Sequence, residues 1–245
     1  MEIVFGMIIV LIAGFIQGLT GFGLSIVAIP FLLLLFPLQE IVPSIVVLAL
    51  LTNSLVLIPA RREVQFKQFK LLVLMGILFM PVGVYSLRYL NSDYLQLCFG
   101  ILITVFSLML ILNKTFPIKR EKIGYTIAGA FSGFLNGSLS LSGPPVVLFL
   151  SNQGVKKETF RANITLYFLI LNIIAIAIFS AVGMLNAVIF ERILFLVPAL
   201  VIGVLAGIKV SKKIKDTTFR MFVLVMLIIS GVWTTISTLI RLIGA

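Results

Sequence analysis

Histidine is missing from this chain of 245 residues, and cysteine occurs only once, as Cys98. A single cysteine forms no disulfide within the chain, and without histidine the usual thiolate and imidazole metal sites lack their ligands. We therefore expect neither a metal nor another cofactor. Catalysis inside a membrane would need a general base or an activated nucleophile, so the same shortage argues against an embedded enzyme.

Carboxylates are scarce as well, with eight in the whole chain. All of them lie at a terminus, in a loop or at the end of an apolar segment: Glu2, Glu40, Glu63, Asp93, Glu121, Glu158, Glu191 and Asp216. A cation site or a proton relay in a membrane protein ordinarily places such groups in the interior of the helix bundle. Their peripheral position favours an anionic substrate, held by neutral donors and helix dipoles.

Apolar residues dominate what is present. Hydrophobic residues make up 61% of the chain and charged residues 11%, which is typical of an all-α polytopic membrane protein. Single membrane spans are predicted at 40–60, 71–90, 94–112, 162–182, 191–210 and 221–243. Two further stretches, 3–36 and 123–151, are too long for one span and predict helical hairpins broken in the middle. The total is about eight to ten segments, depending on whether the hairpins cross the bilayer or re-enter.

Basic residues are unevenly distributed along the chain. Of the 19, 16 fall in four loops between apolar runs, at 61–70, 114–122, 156–161 and 209–220. Nucleic-acid-binding proteins gather basic residues along one groove or face, so the net charge of +11 does not indicate a nucleic-acid partner. Basic loops of this kind face the cytoplasm in membrane proteins. We therefore expect a multi-pass protein embedded in the lipid bilayer, with both termini outside.

The two halves of the chain resemble each other. A shift of 119 residues places "GFIQG" at 14–18 on "GFLNG" at 133–137, and Asn53 on Asn172. Basic loops of one half then coincide with uncharged loops of the other, which predicts two halves inserted upside down, as in many secondary transporters. The predicted organisation is a first repeat at 1–112, a basic cytoplasmic linker at 113–122 and a second repeat at 123–245. Each repeat is a broken hairpin followed by three membrane helices.

Each predicted hairpin contains a run of small and polar residues, "GFIQGLTGFG" at 14–23 and "GFLNGSLSLSG" at 133–143. Backbone groups freed by a helix break at membrane depth need polar partners, and the start of a new helix attracts anions. With the paired mid-span asparagines, these motifs predict a substrate site between the breaks. Its candidate residues are Gln17, Gly18, Thr20, Gly21, Gly23, Asn53, Asn136, Ser138, Ser140, Ser142, Gly143 and Asn172.

The glycines of the first motif have two interpretations. Gly18, Gly21 and Gly23 are expected to provide positive φ and close approach, with new helices beginning near Leu24 and at Gly143. The alternative is helix packing, because small residues spaced by four let membrane helices touch. Each asparagine likewise has two interpretations, because its side chain can bind the substrate or form a hydrogen bond to a neighbouring helix.

Arg161 stands at the start of the segment that carries Asn172. An arginine at a segment end usually extends to the lipid headgroups. The functional alternative is a positive charge at the cytoplasmic mouth that gathers anions, and Arg161 is the best candidate for that role.

The stretches "GFIQGLTGFGLSIVAIP", "GFLNGSLSLSGPPVVLFL" and "FRANITLYFLILN" resemble the sulfite exporter TauE/SafE family over nearly the whole chain. The resemblance implies an inner-membrane transporter of duplicated halves that moves sulfur-containing anions such as sulfite or organosulfonates. It also places substrate-binding motif positions at Gly18, Gly21, Gly23, Gly137, Gly143, Arg161 and Asn172. We therefore expect a secondary transporter that exports such an anion by alternating access. An anion channel or a membrane assembly scaffold is the alternative, and a homodimer is left open.

Overall fold

The computed structural model describes residues 2–65, 69–112, 121–151 and 157–243. In these ranges the chain forms ten α-helices, joined by loops and one short 3₁₀ turn at Arg61–Glu63, and no strand. The predicted all-α class is confirmed. The helices are α1 (Glu2–Thr20), α2 (Leu24–Leu32), α3 (Leu38–Ala60), α4 (Lys70–Tyr89), α5 (Ser92–Ile111), α6 (Glu121–Leu139), α7 (Gly143–Ser151), α8 (Lys157–Ala181), α9 (Ala187–Ser211) and α10 (Asp216–Ile243).

Five helices in the described ranges are long and apolar enough to cross a membrane, namely α1, α3, α4, α8 and α9. Their outer faces are apolar. On α4, for example, Leu74, Leu78 and Val82 lie four residues apart and are each more than half exposed. Such a stripe follows the helical repeat and suits contact with lipid rather than water. The chain is therefore a multi-pass membrane protein.

Several helices begin earlier than the apolar runs predict. Helix α8 begins at Lys157 rather than at 162, α9 at Ala187 rather than at 191, and α10 at Asp216 rather than at 221. Their first turns contain polar residues outside the apolar segment. At α9 the side chain of Asn186 accepts a hydrogen bond from the Ile189 N–H at 3.0 Å. Residues 113–120 of the predicted linker, and Lys67 and Lys156 of the basic loops, lie outside the described ranges.

Both predicted helix interruptions are present. Helix α1 ends at Thr20 and α2 begins at Leu24, while α6 ends at Leu139 and α7 begins at Gly143. We call residues 21–23 the first break and residues 140–142 the second break. Each break lies inside the predicted hairpin, after a 19-residue helix and before a helix of nine described residues.

The long helix before each break packs closely on a helix from the other half of the chain. A Cβ atom on Gly18 of α1 would lie 2.2 Å from the Val204 carbonyl oxygen of α9, and one on Gly137 of α6 would lie 2.4 Å from the Met80 carbonyl oxygen of α4. Only glycine permits backbones to approach this closely. The packing interpretation therefore accounts for both residues. The expected positive φ is absent at Gly18, which lies within α1.

The receiving helices contribute glycines in return. A Cβ atom on Gly207 of α9 would lie 2.1 Å from the Phe15 carbonyl oxygen, and one on Gly83 of α4 would lie 2.1 Å from the Phe134 carbonyl oxygen. Phe15 and Phe134 are separated by the same 119 residues as the two motifs. The contact between α1 and α9 thus has a counterpart between α6 and α4, and together they hold the two breaks on either side of a shared centre.

Candidate functional site

A small cavity lies between the two breaks. It is lined by Gln17, Phe22, Gly23, Leu24, Ser25, Ile26, Ala49, Asn53, Asn136, Ser140, Leu141, Ser142, Gly143, Phe168 and Asn172. The centres of water-sized molecules can occupy about 30 Å³ of it, which is room for one or two waters. The cavity therefore suits a small polar guest, and anything larger than a few atoms needs the walls to separate.

Most of the lining consists of residues at corresponding positions of the two halves. Under the 119-residue shift the lining residues form six pairs: Gln17 with Asn136, Phe22 with Leu141, Gly23 with Ser142, Leu24 with Gly143, Ala49 with Phe168, and Asn53 with Asn172. Helices α1, α2 and α3 with the first break supply one member of each pair, and α6, α7 and α8 with the second break supply the other. Both halves of the chain thus contribute equivalent walls to one cavity.

The first break is closed by the side chain of Gln17, which is 3% exposed. Its Nε2 donates to Asn53 Oδ1 at 2.7 Å and to the Gly21 carbonyl oxygen at 3.3 Å, while its Oε1 accepts from the Leu24 N–H at 3.0 Å. The last of these bonds satisfies the first free N–H group of α2, as a capping side chain would. Gln17 therefore joins α1, the break, α2 and α3, and its amide is fully occupied.

The second break is left open at the corresponding position. Asn136 is 1% exposed and lines the cavity, yet its Nδ2 has no hydrogen-bond partner in the described part of the chain. Its backbone oxygen accepts from the Ser140 N–H at 3.0 Å, and Ser132 Oγ donates to the Ser142 carbonyl oxygen at 2.7 Å. The backbone of this break is thus held without the amide of Asn136. A buried amide without a partner costs about 1–3 kcal/mol, so this group is poised for a ligand.

Both breaks turn through the same unusual backbone conformation. Gly21 has φ of 84° and Ser140, at the corresponding position, has φ of 54°. Glycine adopts this region freely, whereas a serine pays about 1–2 kcal/mol for it. The side chain that this serine retains reaches the cavity, where its Oγ lies 3.4 Å from Ser25 Oγ on α2.

Of the predicted site residues, eight line the cavity: Gln17, Gly23, Asn53, Asn136, Ser140, Ser142, Gly143 and Asn172. The other six do not, namely Gly18, Thr20, Gly21, Gly137, Ser138 and Arg161. Two of these six are the packing glycines of α1 and α6. The hydroxyls of Thr20 and Ser138 bond backwards to Ile16 and Phe134 carbonyl oxygens at 2.8 and 2.9 Å. These four residues shape the breaks rather than face a guest.

Arg161 braces the first break from behind. Its Nη2 donates to the Gly18 carbonyl oxygen at 2.6 Å and its Nη1 to Ser211 Oγ at 2.8 Å, so one guanidinium joins α8 to the ends of α1 and α9. The carbonyl oxygens at a helix C-terminus carry partial negative charge, which a cation stabilises. In this structure Arg161 is therefore bonded to protein rather than extended toward lipid headgroups.

The lining includes residues that the sequence did not single out. Ser25 lies in the first turn of α2, and Ala49 and Phe168 lie one helical turn before Asn53 and Asn172. Residues four apart share a helix face, so the positions of the asparagines were a signal for the latter two. The remaining new lining residues, Phe22, Leu24, Ile26 and Leu141, are apolar and carried no such signal.

The cavity combines apolar and polar residues, and its polar side chains carry no charge. Among the described residues that line it, every polar side chain is a neutral amide or hydroxyl. Two helices, α2 and α7, begin at residues in its wall, and helix starts carry partial positive charge. No group of three or more histidine, cysteine or carboxylate side chains comes together in the described ranges. The chemistry on offer is hydrogen bonding to a small anion or polar molecule.

Comparisons with known proteins identify a family and one relative. The sequence profile of the family described as "Sulfite exporter TauE/SafE" matches residues 6–234. A curated relative from Cupriavidus necator, the "Probable sulfite/organosulfonate exporter TauE", is 28% identical over 215 residues, which cover 84% of this chain and 83% of the relative. No solved structure matches the chain.

Proposed function

Because the chain belongs to the sulfite exporter TauE/SafE family, we propose that it exports a small sulfur-containing anion, sulfite or an organosulfonate, and binds it in the cavity between the two breaks. Members of this family are membrane transporters and not enzymes. The proposed location is the cell inner membrane. Basic loops then face the cytoplasm and both termini lie outside.

One observation carries the assignment of the site. The Nδ2 group of Asn136 is buried against the cavity without a partner in the described ranges. An anion provides the acceptor that such a donor lacks, and a hydrogen bond to a charged acceptor contributes about 1.5–3 kcal/mol. The starts of α2 and α7 add positive partial charge from two sides.

The proposed mechanism is alternating access between two inverted repeats, at 1–112 and 123–245, joined by the basic linker 113–122. Three features support it: the six pairs of corresponding residues around the cavity, the matching contacts of α1 with α9 and of α6 with α4, and the opposite charge bias of corresponding loops. Inverted repeats of this kind rock about a substrate site near the middle of the membrane. An inside-negative potential favours the outward step by about 2.3 kcal/mol per charge per 100 mV.

The test measures sulfite flux in proteoliposomes for the native chain and for Asn136→Ala. We expect saturable flux that falls at least about tenfold in Asn136→Ala, because one charge-assisted hydrogen bond is lost. Asn163→Ala is the matched control, since Asn163 is a buried asparagine outside the cavity that accepts from the Gln65 N–H at 2.8 Å.

Both variants must elute as folded protein from gel filtration before flux is compared. Equal flux in the native chain and Asn136→Ala would contradict the assigned site. Flux that rises linearly with concentration, without countertransport, would indicate a channel instead. No flux with sulfite or any sulfonate would contradict the transport function.

A further inference from the structure

The charge state of the transported anion follows from the lining of the cavity. We infer that this site carries a singly charged oxyanion, hydrogensulfite in the case of sulfite, and rejects the dianion. The inference rests on the proposed function and adds to it the ionic form of the substrate.

Desolvation disfavours a dianion in this cavity. The free energy needed to take an ion out of water rises with the square of its charge, so a dianion costs about four times as much as a monoanion of the same size. Four amide and three hydroxyl side chains line the cavity, and none of the described lining residues is cationic. Neutral donors and helix dipoles offset one negative charge far more readily than two.

Part of the lining is already committed to hydrogen bonds within the protein. The amide of Gln17 is already bonded to Asn53, Gly21 and Leu24, so it gives nothing further to a guest. Asn136 Nδ2 is the buried lining donor without a partner in the described ranges. The donors left for a guest are the amides of Asn53, Asn136 and Asn172 and the three serine hydroxyls. All of them are neutral, and hydrogen bonds from neutral donors offset a second negative charge less well than those from a cationic group.

The walls of the cavity also present hydrogen-bond acceptors. Side-chain amides carry a carbonyl oxygen beside their NH₂ group, and serine hydroxyls both donate and accept. A dianion without a proton only accepts, and is repelled by these oxygens. A protonated monoanion brings one proton of its own, which an amide or hydroxyl oxygen can accept.

No described charged side chain of the surrounding helices lines the cavity. Arg161 of α8 bonds Gly18 and Ser211, while Glu40 of α3 pairs with Arg192 of α9 at 2.9 Å. On α8, Tyr167 is fully buried and does not line the cavity. Other charged residues of these helices stand in their first or last turns: Glu2, Glu121, Lys122, Lys157 and Glu158. The proton therefore travels on the substrate itself, and no described lining side chain can titrate with it.

The charge moved in each transport cycle distinguishes a monoanion from a dianion. Radiolabelled sulfite is allowed to distribute, without oxygen, across proteoliposomes with equal pH on both sides and an imposed potassium diffusion potential. For a monoanion, a tenfold gradient balances about 59 mV, whereas for a dianion it balances about 30 mV. Vesicles without protein, and vesicles with Asn163→Ala, control for diffusion of uncharged sulfur dioxide and for reconstitution.

Competition by ions that do not titrate near neutral pH gives an independent readout. Methanesulfonate is a permanent monoanion and sulfate a permanent dianion in this range. We expect methanesulfonate to inhibit sulfite flux equally at mildly acidic and mildly alkaline pH, and sulfate not to inhibit. A gradient of tenfold per 30 mV, or inhibition by sulfate as strong as by methanesulfonate, would overturn the inference while leaving export intact. Complete absence of sulfite flux would instead overturn the proposed function, and this inference with it.

Discussion

The two helix breaks follow the same sequence motif, but their side chains make different hydrogen bonds. In the first, Gln17 spans the break and bonds α2 and α3, whereas in the second the shorter Asn136 leaves its Nδ2 without a partner in the described ranges. The two side chains differ by one methylene group. That difference separates an amide consumed by structure from an amide left for a ligand.

A duplicated framework therefore need not give two equal binding surfaces. The helix contacts behind the breaks correspond in the two halves, and so do six pairs of lining residues. The hydrogen bonds at the breaks do not correspond. We interpret the first break as the rigid wall of the site and the second break as the wall that holds the anion.

The strongest test of the shared framework is to fill its closest contacts. Gly18→Ala and Gly137→Ala would place methyl groups 2.2 and 2.4 Å from backbone carbonyl oxygens. Because backbone cannot move aside as a side chain does, we expect each change to lower the free energy of unfolding by about 3 kcal/mol. The measurement is thermal unfolding of the purified protein in detergent.

Gly6→Ala on α1 is the matched control, since its Cβ would lie 3.4 Å from the end of the Leu196 side chain. It should unfold near the native temperature. If Gly18→Ala is as stable as this control, the packing interpretation fails. If only one of the two motif glycines is sensitive, the halves do not share a framework.

The second test separates the two amides by stability. Gln17→Ala removes the partner of the Leu24 N–H and of Asn53 Oδ1, both in the interior, so we expect a loss of about 2–3 kcal/mol. Asn136→Ala removes a donor without a partner in the described ranges, so it should cost less than about 1 kcal/mol while reducing flux.

Gln17→Met controls for the lost volume, because methionine has similar length without the hydrogen bonds. We expect it to be destabilised almost as much as Gln17→Ala. Equal stability losses at Gln17 and Asn136 would contradict the proposed division between structural wall and binding wall.

The third test concerns the brace behind the first break. Arg161→Lys keeps the positive charge, but a single ammonium group cannot reproduce the two-pronged contact with Gly18 and Ser211. We expect the free energy of unfolding to fall by about 1–2 kcal/mol, with the concentration dependence of flux by the folded fraction unchanged.

Ser211→Ala removes one of the two contacts and should give a smaller loss of stability than Arg161→Lys. The hypothesis that Arg161 gathers anions at the cytoplasmic mouth predicts an effect on transport and not on stability. On that hypothesis Arg161→Lys stays stable, and replacing the charge with Arg161→Gln raises KM in a manner that salt suppresses.

Much of the fold could be predicted from the sequence because its signals are strong and local. Apolar runs place the long helices, and the two glycine-rich motifs place the interruptions, including the starts of α2 at Leu24 and α7 at Gly143. The internal repeat alone pairs Asn53 with Asn172, and both line the cavity. Periodicity and duplication are readable in one dimension.

The sequence could not show which motif residues pack against another helix and which line the cavity. Gly18 and Gly23 look alike in the motif, yet the first fits against α9 and the second lines the cavity. Whether a glycine packs against a helix or lines the cavity depends on which helix lies opposite it. For Gly18 that helix is α9, which is nearly two hundred residues away in the chain. The hydrogen bonds at the breaks also depend on tertiary packing, because Gln17 contacts Asn53 only where α1 and α3 lie side by side.

The smallest expected effect comes from making the second break resemble the first in its backbone. Ser140→Gly replaces a residue with φ of 54° by one that adopts this conformation freely. Relief of about 1–2 kcal/mol is partly cancelled by the greater flexibility of glycine in the unfolded chain, so the net gain in stability should be below about 1 kcal/mol.

Ser140→Ala keeps the strained backbone and removes only the hydroxyl near Ser25, which makes it the matched control. Thermal unfolding should rank Ser140→Gly above Ser140→Ala, and both should lose part of the sulfite flux because each removes a polar group from the cavity. If Ser140→Gly transports normally while Ser140→Ala does not, the serine matters for the shape of the break and not for the anion, and the binding wall would reduce to Asn136 and its neighbours on α7 and α8.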